Sequence, residues 1–561
     1  MSTPVPRQVP VALDTGLRKD VGKLSLLFTG IGAIIGSGWL FGALLAAQIA
    51  GPAAILSWVV GGIMVMVIGL TYAELGVMFP VSGGIIRFPH YAFGSFASFA
   101  SGWTSWLAAA AITPIEVLAT TQYADPYIPW LMETNNGVFV LTAPGLAVSI
   151  ALMLFYSLVN VLGVRLFARL NNVLVWWKLA VIALAIVAFA LLAFHPGNLT
   201  DFGGFAAQGY GAIFTAIPAA GIAFSYIGFT NAVGFAGETD NPQRNVPFAV
   251  IGSIVITGII YVLLQLTFLT ALPANLLGEG WSTLSFAGES AGPLAGLSLV
   301  LGATWLAVLL RLDAVVSPAD TGLIYAGVAT RLAYANARNG NAPQTLTRLN
   351  RKGIPWISVM LTAVVGCFFF LPFPGWQQFI AFITAAFAIS FGAGPLAVGA
   401  LRRQLPDQMR PFKLPGGDVL PYLAFLASSL LVFWSGWDIN EKMYIALFAG
   451  FLVYAIYHVY ITKVSAVGDR AALPPLDFKA GSWFPIWIGG LALCSYFGDV
   501  DPGVTPDPGL ILDGVDGPLT LASGGIVVAA FSGVVYIYAM AVRLPTSRAA
   551  GYISQTWNVP S

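Results

Sequence analysis

Cysteine occurs only at Cys367 and Cys494, both inside apolar stretches, which excludes a disulfide framework and a cysteine-rich metal site. Histidine is almost as scarce, and His90, His195 and His458 are too scattered to make a zinc motif. Charge is the third shortage. Only 9% of residues are Asp, Glu, Lys or Arg, and 25 basic against 24 acidic residues leave a net charge of +1. No basic run is long enough to follow a phosphate backbone, so nucleic acid is excluded as a partner. No polar segment is long enough to be an inserted soluble domain, which argues against an ATP-driven pump or a large membrane-anchored enzyme. What fills the chain is apolar: 58% of its 561 residues, with a mean hydropathy of +0.82, far outside the range of soluble domains.

A span needs about 20 apolar residues to cross roughly 30 Å of hydrocarbon, and a chain with this much glycine and no strand alternation crosses as helices. The expected fold class is an all-α polytopic membrane protein. Fourteen spans are predicted, at residues 24–50, 54–80, 92–122, 142–163, 170–194, 212–236, 246–272, 294–334, 354–372, 377–401, 418–437, 443–463, 482–498 and 520–542. Residues 1–23 carry charge and proline without a cleavable apolar core, and read as a cytosolic tail. With that tail inside, every Lys and Arg falls on the cytosolic side except Lys442, which is external, and Lys178 and Arg311, which lie within spans. External loops hold acidic residues instead, among them Asp125, Glu133, Asp201, Glu279 and Asp438. By the positive-inside rule this predicts a multi-pass protein of the plasma membrane with both termini cytoplasmic. The external loop 498–517 holds five Asp among Pro and Gly, but their spacing does not fit a calcium-binding EF-hand, so a solvated turn-rich loop is expected.

Two spans are marked for interruption. Span 1 contains Gly30, Gly32, Gly36 and Gly38 within nine residues, and span 6 runs from Gly221 through Ser225 and Gly228 to Asn231. Each glycine weakens a helix by about 1 kcal/mol, and backbone freed inside a membrane must line a cavity or be buried in protein. Gly36 and Gly228 lie 192 residues apart and each opens a five-span block. That is the pattern of an inverted-repeat transporter with repeats at 24–194 and 212–401, followed by four further helices over 402–542 and a cytosolic tail over 543–561. The plainer alternative is that the glycines only allow close helix packing. A channel would need a continuous polar pore, and an enzyme would need paired Ser/His or His/Asp chemistry within the spans; neither is present.

These segments resemble a known family. Gly36-Ser37-Gly38-Trp39-Leu40-Phe41-Gly42 is similar to the first-helix motif of the amino acid–polyamine–organocation transporters. Tyr72-Ala73-Glu74-Leu75-Gly76 with Ser82-Gly83-Gly84, Ala236-Gly237-Glu238 with Asn241-Pro242-Gln243-Arg244-Asn245-Val246-Pro247, and Arg331 with Tyr334–Gly340 carry the resemblance further. Arg410-Pro411-Phe412-Lys413-Leu414-Pro415-Gly416 extends it past span 10. Residues 20 to 465 are covered, and the form of the first motif most resembles the aspartate–proton symporter branch. The resemblance implies a LeuT-like five-plus-five inverted repeat and secondary active transport driven by protons. It implies an amino acid substrate, acidic ones such as aspartate or glutamate favoured, and no cofactor. Neutral or cationic amino acids or polyamines are the alternative, and a nutrient receptor on the same scaffold is the reading from another class. Oligomeric state is left open.

In such a fold the unwound first helix, here Ile35, Gly36, Ser37 and Gly38, offers a substrate carboxylate the amide N–H groups of Ser37 and Gly38, with the Ser37 hydroxyl as a further donor. By motif alignment, carbonyls of Ile34, Phe224 and Ile227 would hold the α-ammonium beside Gly228, with the Phe224 ring as an aromatic gate. Lys178, roughly 12 Å inside span 5 at 1.5 Å per residue, resembles the span-5 lysine that replaces a coupling cation in proton-driven relatives; bracing span 1 is the simpler role. Asp313, Ser317, Asp320 and Thr321 share one face of span 8, and Asp320 is an expected partner for Lys178. Glu116 in span 3 and Arg311 in span 8 are expected to neutralise each other or Asp313. Proton coupling is thus expected from Lys178, Asp320, Asp313 and Glu116, while Glu74 and Glu238 at helix ends are expected in gates or loop packing.

Overall fold

The computed structural model describes residues 21–81, 83–135, 138–162, 164–286, 292–371, 375–463, 476–500 and 518–557. The N-terminal tail to residue 20 and the acidic loop from residue 501 lie outside these, and the expectations for them stay untested.

The chain is a succession of α-helices. The first half comprises α1 (Lys23–Ile34), α2 (Gly38–Ala50), α3 (Ala54–Met78), α4 (Gly84–Phe93), α5 (Ser95–Ala124), α6 (Ala143–Leu162), α7 (Val164–Leu192), α8 (Ala212–Ala219), α9 (Phe229–Gly234) and α10 (Pro242–Ala271). Then come α11 (Pro293–Val300), α12 (Thr304–Arg338), α13 (Trp356–Phe368), α14 (Trp376–Gln404), α15 (Val419–Trp434), α16 (Trp437–Lys463), α17 (Phe478–Gly481), α18 (Trp483–Tyr496), α19 (Leu521–Val542) and α20 (Thr546–Trp557). A hairpin of β1 (Met132–Asn135) and β2 (Val138–Leu141), with Glu133 opposite Val140, joins α5 to α6. Among the described residues seven helical stretches are long and apolar enough to span a membrane, α2 and α3 counting as one, and the α8–α9 pair, bent by 63°, adds an eighth. Large apolar side chains such as Ile63, Trp176, Leu191, Ile259, Val364, Phe448 and Ile537 are exposed on the outside, as lipid contact requires. The chain is a multi-pass membrane protein.

Two predicted boundaries are corrected. The stretch expected as span 8 from residue 294 is two helices, because Gly302 adopts φ +72°, a left-handed turn between α11 and α12. Residues expected to run from a loop into span 3 form α4, set off by Gly94 at φ +83°; a Cβ on Gly94 would fall 2.2 Å from Asp477 Oδ2.

At the centre, α12 runs along α5, α1 and α3 lean on α10, and α14 sits among α3, α4, α5 and α15. The apolar stretch of α14 is buried on every side, which explains why it is hydrophobic all round with no polar stripe. Small residues allow these approaches: Asn336 of α12 donates 3.1 Å to the Gly102 carbonyl of α5, and Thr113 donates 3.0 Å to Gly322 O. α20 packs on α4, where the Tyr552 ring lies 4.4 Å from His90 and the Tyr552 hydroxyl donates 2.6 Å to Asp477. Burial, with Arg87 nearby, pulls the His90 imidazole down to about 4, so it packs as a neutral ring.

One end of α3 is tied to the segment after α14. Glu74, 1% exposed, accepts from Arg402 at 2.8 and 2.5 Å and from the Leu414 amide at 2.8 Å, with Arg410 Nε 3.8 Å away. Arg410 in turn donates to the carbonyls of Leu401, Leu405 and Gln408. Glu74→Ala would leave two guanidinium charges without their carboxylate, and we expect it to destabilise the fold by about 3 kcal/mol, the usual consequence of removing one partner of a buried pair. Asp418→Ala, which breaks the exposed Arg403–Asp418 pair, is expected to change stability by under about 1 kcal/mol. Thermal unfolding of both variants in detergent checks the order; equal shifts would show that Glu74 does not hold this end of the bundle.

Candidate substrate and coupling site

α1 stops at Ile34 and α2 starts at Gly38, so Ile35–Ser37 belongs to neither helix. Ile35 turns out of helical geometry at ψ 84°, and the Gly36 amide folds back to Ile34 O at 3.1 Å. The break lies in protein, with Ile35 and Ser37 wholly buried. It exposes carbonyls at the negative end of α1 and amides at the positive end of α2. Its glycines are required by neighbours. A Cβ on Gly36 would meet Glu116 Oε1 at 2.5 Å, and one on Gly38 would meet Ser225 Oγ at 2.2 Å. A Cβ on Gly228 would fall 2.4 Å from the Ile34 amide, so the second interrupted span crosses the first at backbone contact. That span is broken between α8 and α9, with a single 3₁₀ turn at Phe224–Tyr226 between them.

Side chains from other helices take up both ends of the first break. At the α1 end, Lys178 Nζ of α7 donates to Gly32 O at 2.9 Å and to Thr321 Oγ1 at 3.1 Å, and forms an ion pair with Asp320 Oδ2 at 2.8 Å. Lys178 and Asp320 are 0% and 1% exposed. The Thr321 hydroxyl, 3.0 Å from Gly32 O and 3.1 Å from Ile35 O, donates its one proton to either. Tyr261 donates to Ile34 O at 3.2 Å. At the α2 end the Ser37 amide donates 2.8 Å to Glu116 Oε2, and Trp376 Nε1 donates 2.9 Å to Ser37 Oγ. Trp376 is in turn packed on Phe41, ring centres 4.5 Å apart. The buried Glu116 Oε1 has no hydrogen-bond partner among the described residues.

The structure thus brings Ile34, Ile35, Gly36, Ser37, Gly38 and Gly228 together with Lys178, Asp320 and Glu116. Phe224 approaches Gly38 to within 3.3 Å of where its Cβ would stand. The Phe224 carbonyl accepts from the Ile227 amide at 3.1 Å, which leaves one lone pair for a ligand, whereas Ile227 O accepts from both the Thr230 amide at 3.4 Å and the Thr230 hydroxyl at 3.3 Å and opens to a ligand only if that hydroxyl turns away. Other expectations are corrected. Asp313 does not join this group through Lys178; it accepts from Trp177 Nε1 at 2.8 Å, and the Ser317 hydroxyl lies 2.8 Å from both its oxygens. Arg311 reaches the Tyr127 hydroxyl at 3.2 Å and stacks on that ring, on the face of α12 away from the break. Glu116 and Asp313 each have partners of their own, so neither needs that arginine. Sequence reasoning missed Trp376, Tyr261 and Trp177, because an aromatic at a helix start or mid-span carries no motif that separates it from ordinary core. Thr321 was legible as a member of the Asp320 face.

Comparison with known proteins supplies the remaining context. The sequence profile described as amino acid permease matches residues 21–470. The chain is 36% identical to the glutamate/serine transporter AimA of Bacillus subtilis (strain 168) over 489 residues, covering 86% of this chain and 88% of that protein. It is 33% identical to the aspartate-proton symporter of the same organism over 500 residues, covering 89% and 93%. A branched-chain amino acid permease, BcaP, again of Bacillus subtilis (strain 168), matches at 28% over 466 residues, or 79% of this chain and 94% of its own length. With most of both chains aligned and the glycine-broken helix seated against Lys178 and Glu116, this protein belongs to the amino acid permease family.

Proposed function

We propose that this chain is a proton-coupled amino acid symporter of the plasma membrane. It works by alternating access of a five-plus-five inverted repeat, 24–194 and 212–401, with fourteen spans in all and both termini cytoplasmic. The observation that carries the mechanism is that two ionisable clusters hold the two ends of one broken helix: Lys178 with Asp320 at the α1 end, and Glu116 at the α2 end. A substrate carboxylate takes the Ser37 amide, the site that Glu116 fills here, so binding requires the Glu116 side chain to withdraw. Protonation weakens Glu116 as an acceptor and promotes that exchange. The α-ammonium then bonds the Phe224 and Ile227 carbonyls, and Phe224 covers the substrate. Proton transfer between Lys178 and Asp320 loosens or restores the grip on Gly32 O, and so sets the angle of α1 relative to α7 and α12. Asp313, tied to Trp177, holds α7 against α12 beside that pair.

Acidic substrates are favoured by the names of two relatives, one for glutamate and serine, one for aspartate. A small neutral amino acid is the second reading. It is favoured by the apolar walls of Ile34, Ile35, Phe224, Ile227 and Trp376, and by the position of Arg311 on Tyr127, away from the break. Uptake of a radiolabelled panel into proteoliposomes, with and without an inward proton gradient, tests the function. Concentrative, proton-driven uptake of L-glutamate, L-aspartate or L-serine is expected, with no dependence on sodium, because the Lys178 ammonium stands where a coupling cation would bind. Uptake that rises steeply with sodium at fixed pH would overturn the coupling scheme.

Lys178→Ala is expected to keep measurable substrate binding and lose gradient-driven accumulation. Lys178→Arg should also fail to accumulate, since arginine does not release its proton in the working range. Full concentrative uptake by the arginine variant would reduce Lys178 to a brace on α1.

Glu116→Gln keeps an acceptor for the Ser37 amide and removes the titration. In the unaltered protein substrate affinity should fall as pH rises, by about tenfold per unit where one proton is taken up with substrate. In Glu116→Gln that dependence should flatten. Calorimetry over pH 5 to 8 reads both slopes, and an unchanged slope would exclude Glu116 from coupling.

A further inference from the structure

A small cavity lies on the far side of the α9 contact, away from the break. Gly83, Thr230, Asn231, Phe235, Val328 and Arg331 are among its walls, and its volume is about 30 Å³. A water needs roughly 10–15 Å³ of such space, so one or two waters fit and an amino acid does not. In the orientation proposed above, the cavity faces the cytosol. α12 connects it to the break. A Cβ on Gly36 would fall 3.0 Å from Thr321 Cγ2 and 2.5 Å from Glu116 Oε1, so Thr321 and Glu116 meet there. Tyr325, Val328 and Leu332 continue the Thr321 face of α12, and the last two line the cavity.

From the break to the cavity, Glu116 Oε1, the Tyr325 hydroxyl and both carboxamide atoms of Asn231 lack hydrogen-bond partners among the described residues. Other buried carboxamides are at least half satisfied: Asn198 donates to Leu269 O and Leu272 O, Asn336 to Gly102 O, and Gln404 to Ala92 O and Leu544 O. A buried amide with neither bond made is completed by water where the site has room, and Asn231 lines a cavity that does. The buried Tyr325 faces Thr230 and the Glu116 carboxyl, yet no group stands within direct hydrogen-bond reach of its hydroxyl. Lys178, Tyr156 and Tyr261 also face Glu116. They are engaged elsewhere: Lys178 on Gly32 O, Thr321 and Asp320, Tyr261 on Ile34 O, and Tyr156 beside Thr120. At the cytosolic wall the Arg331 charge, which would repel a proton, is offset by Glu238 Oε1 4.0 Å from its Nη2, and the guanidinium lies over the Phe235 ring at 4.4 Å.

We propose that this cavity is a water site, and that its water, with the Thr230 and Tyr325 hydroxyls, is the route by which protons pass between Glu116 and the cytosol. The proposal rests on Glu116 as the group that takes up the coupling proton, and adds where that proton leaves. Withdrawal of Glu116 from the Ser37 amide, which substrate binding requires, frees its carboxyl to meet the Tyr325 hydroxyl, which has no bond to give up. The carboxyl proton passes to the Tyr325 oxygen as Tyr325 gives its own proton to the Thr230 oxygen and Thr230 gives its own to the cavity water. Each hydroxyl breaks one O–H bond, forms another and ends neutral; Glu116 is left as the carboxylate, and the excess proton departs on water. The Thr230 hydroxyl now rests on Ile227 O at 3.3 Å, so its turn toward the water is the same movement that opens that carbonyl to a substrate ammonium. Asn231 holds the water in place and takes no proton itself.

A high-resolution density map of the full-length protein is expected to show one or two waters bonded to Asn231, and a dry cavity would overturn the route. In proteoliposomes, Tyr325→Phe keeps the ring and removes the hydroxyl, and Asn231→Leu removes the group that holds the water. Both are expected to slow proton-driven uptake of L-glutamate, L-aspartate or L-serine by about tenfold or more. Exchange of labelled for unlabelled amino acid at equal pH on the two faces, which needs no proton to leave, should keep its rate. An equal loss of exchange would make these residues structural and overturn the route. Driven uptake at the unaltered rate in both variants would also overturn it, and would leave Glu116 standing as the coupling group. A pH slope of substrate affinity that is unchanged in Glu116→Gln would instead remove the reading of Glu116 on which the route rests.

Discussion

Much of this molecule is arranged around three residues of backbone, Ile35 to Ser37, that are in no helix and lie buried inside the bundle. Unsatisfied peptide groups in hydrocarbon are prohibitive, so the break exists only because side chains from α5, α7, α10, α12 and α14 reach it. The pairing follows the dipoles. A basic group meets the carbonyl end of α1, and an acidic group meets the amide end of α2. Five helices are thereby committed to one point, and the glycines at 32, 36, 38 and 228 are the residues that let them come that close.

Under the coupling we propose, the same arrangement makes the site responsive to protons. Lys178 pairs with Asp320 and bonds Gly32 O and Thr321 at once, so in that scheme changing the proton on either would alter the hold on α1. Glu116 uses one oxygen on Ser37 and leaves the other without a partner among the described residues, the arrangement from which the proposed exchange starts. At the other extreme, the tie between Glu74, Arg402 and Arg410 involves several charged groups and backbone carbonyls and binds α3 to the start of the segment after α14. Rigid ties at the ends of helices and exchangeable ones at the break are what a bundle needs if it is to rock about a fixed centre.

The helices themselves were largely legible, because apolar runs of span length and glycine-marked interruptions are local signals. Errors came where one glycine changed the course of the chain. Gly302 divides α11 from α12 and Gly94 separates α4 from α5, and neither is distinguishable in the sequence from the many glycines that only ease packing. In the site, Gly36, Ser37, Gly38 and Gly228 announce themselves by motif, and Lys178, Asp320, Asp313 and Glu116 by being ionisable in apolar surroundings. Their partners do not. Nothing in the residues around Trp376 or Tyr261 says that their polar atoms end on Ser37 and Ile34, and Arg311 reads as a core charge until α12 is seen to turn it toward Tyr127.

What the sequence determined by itself is the environment and the inventory: a membrane protein, from composition; helices, from the backbone's need to bond internally; two breaks, from glycine; and a short roll of buried ionisable groups. Which of those groups meet was decided only in three dimensions. Asp313 and Asp320 lie seven residues apart on one face of α12, yet one bonds Trp177 and the other Lys178. The physical reason is that residues on one helix face are separated by about 10 Å along the axis at 1.5 Å per residue, more than three times the reach of a hydrogen bond, so the crossing of a neighbouring helix selects between them and no spacing in the chain encodes where that crossing falls.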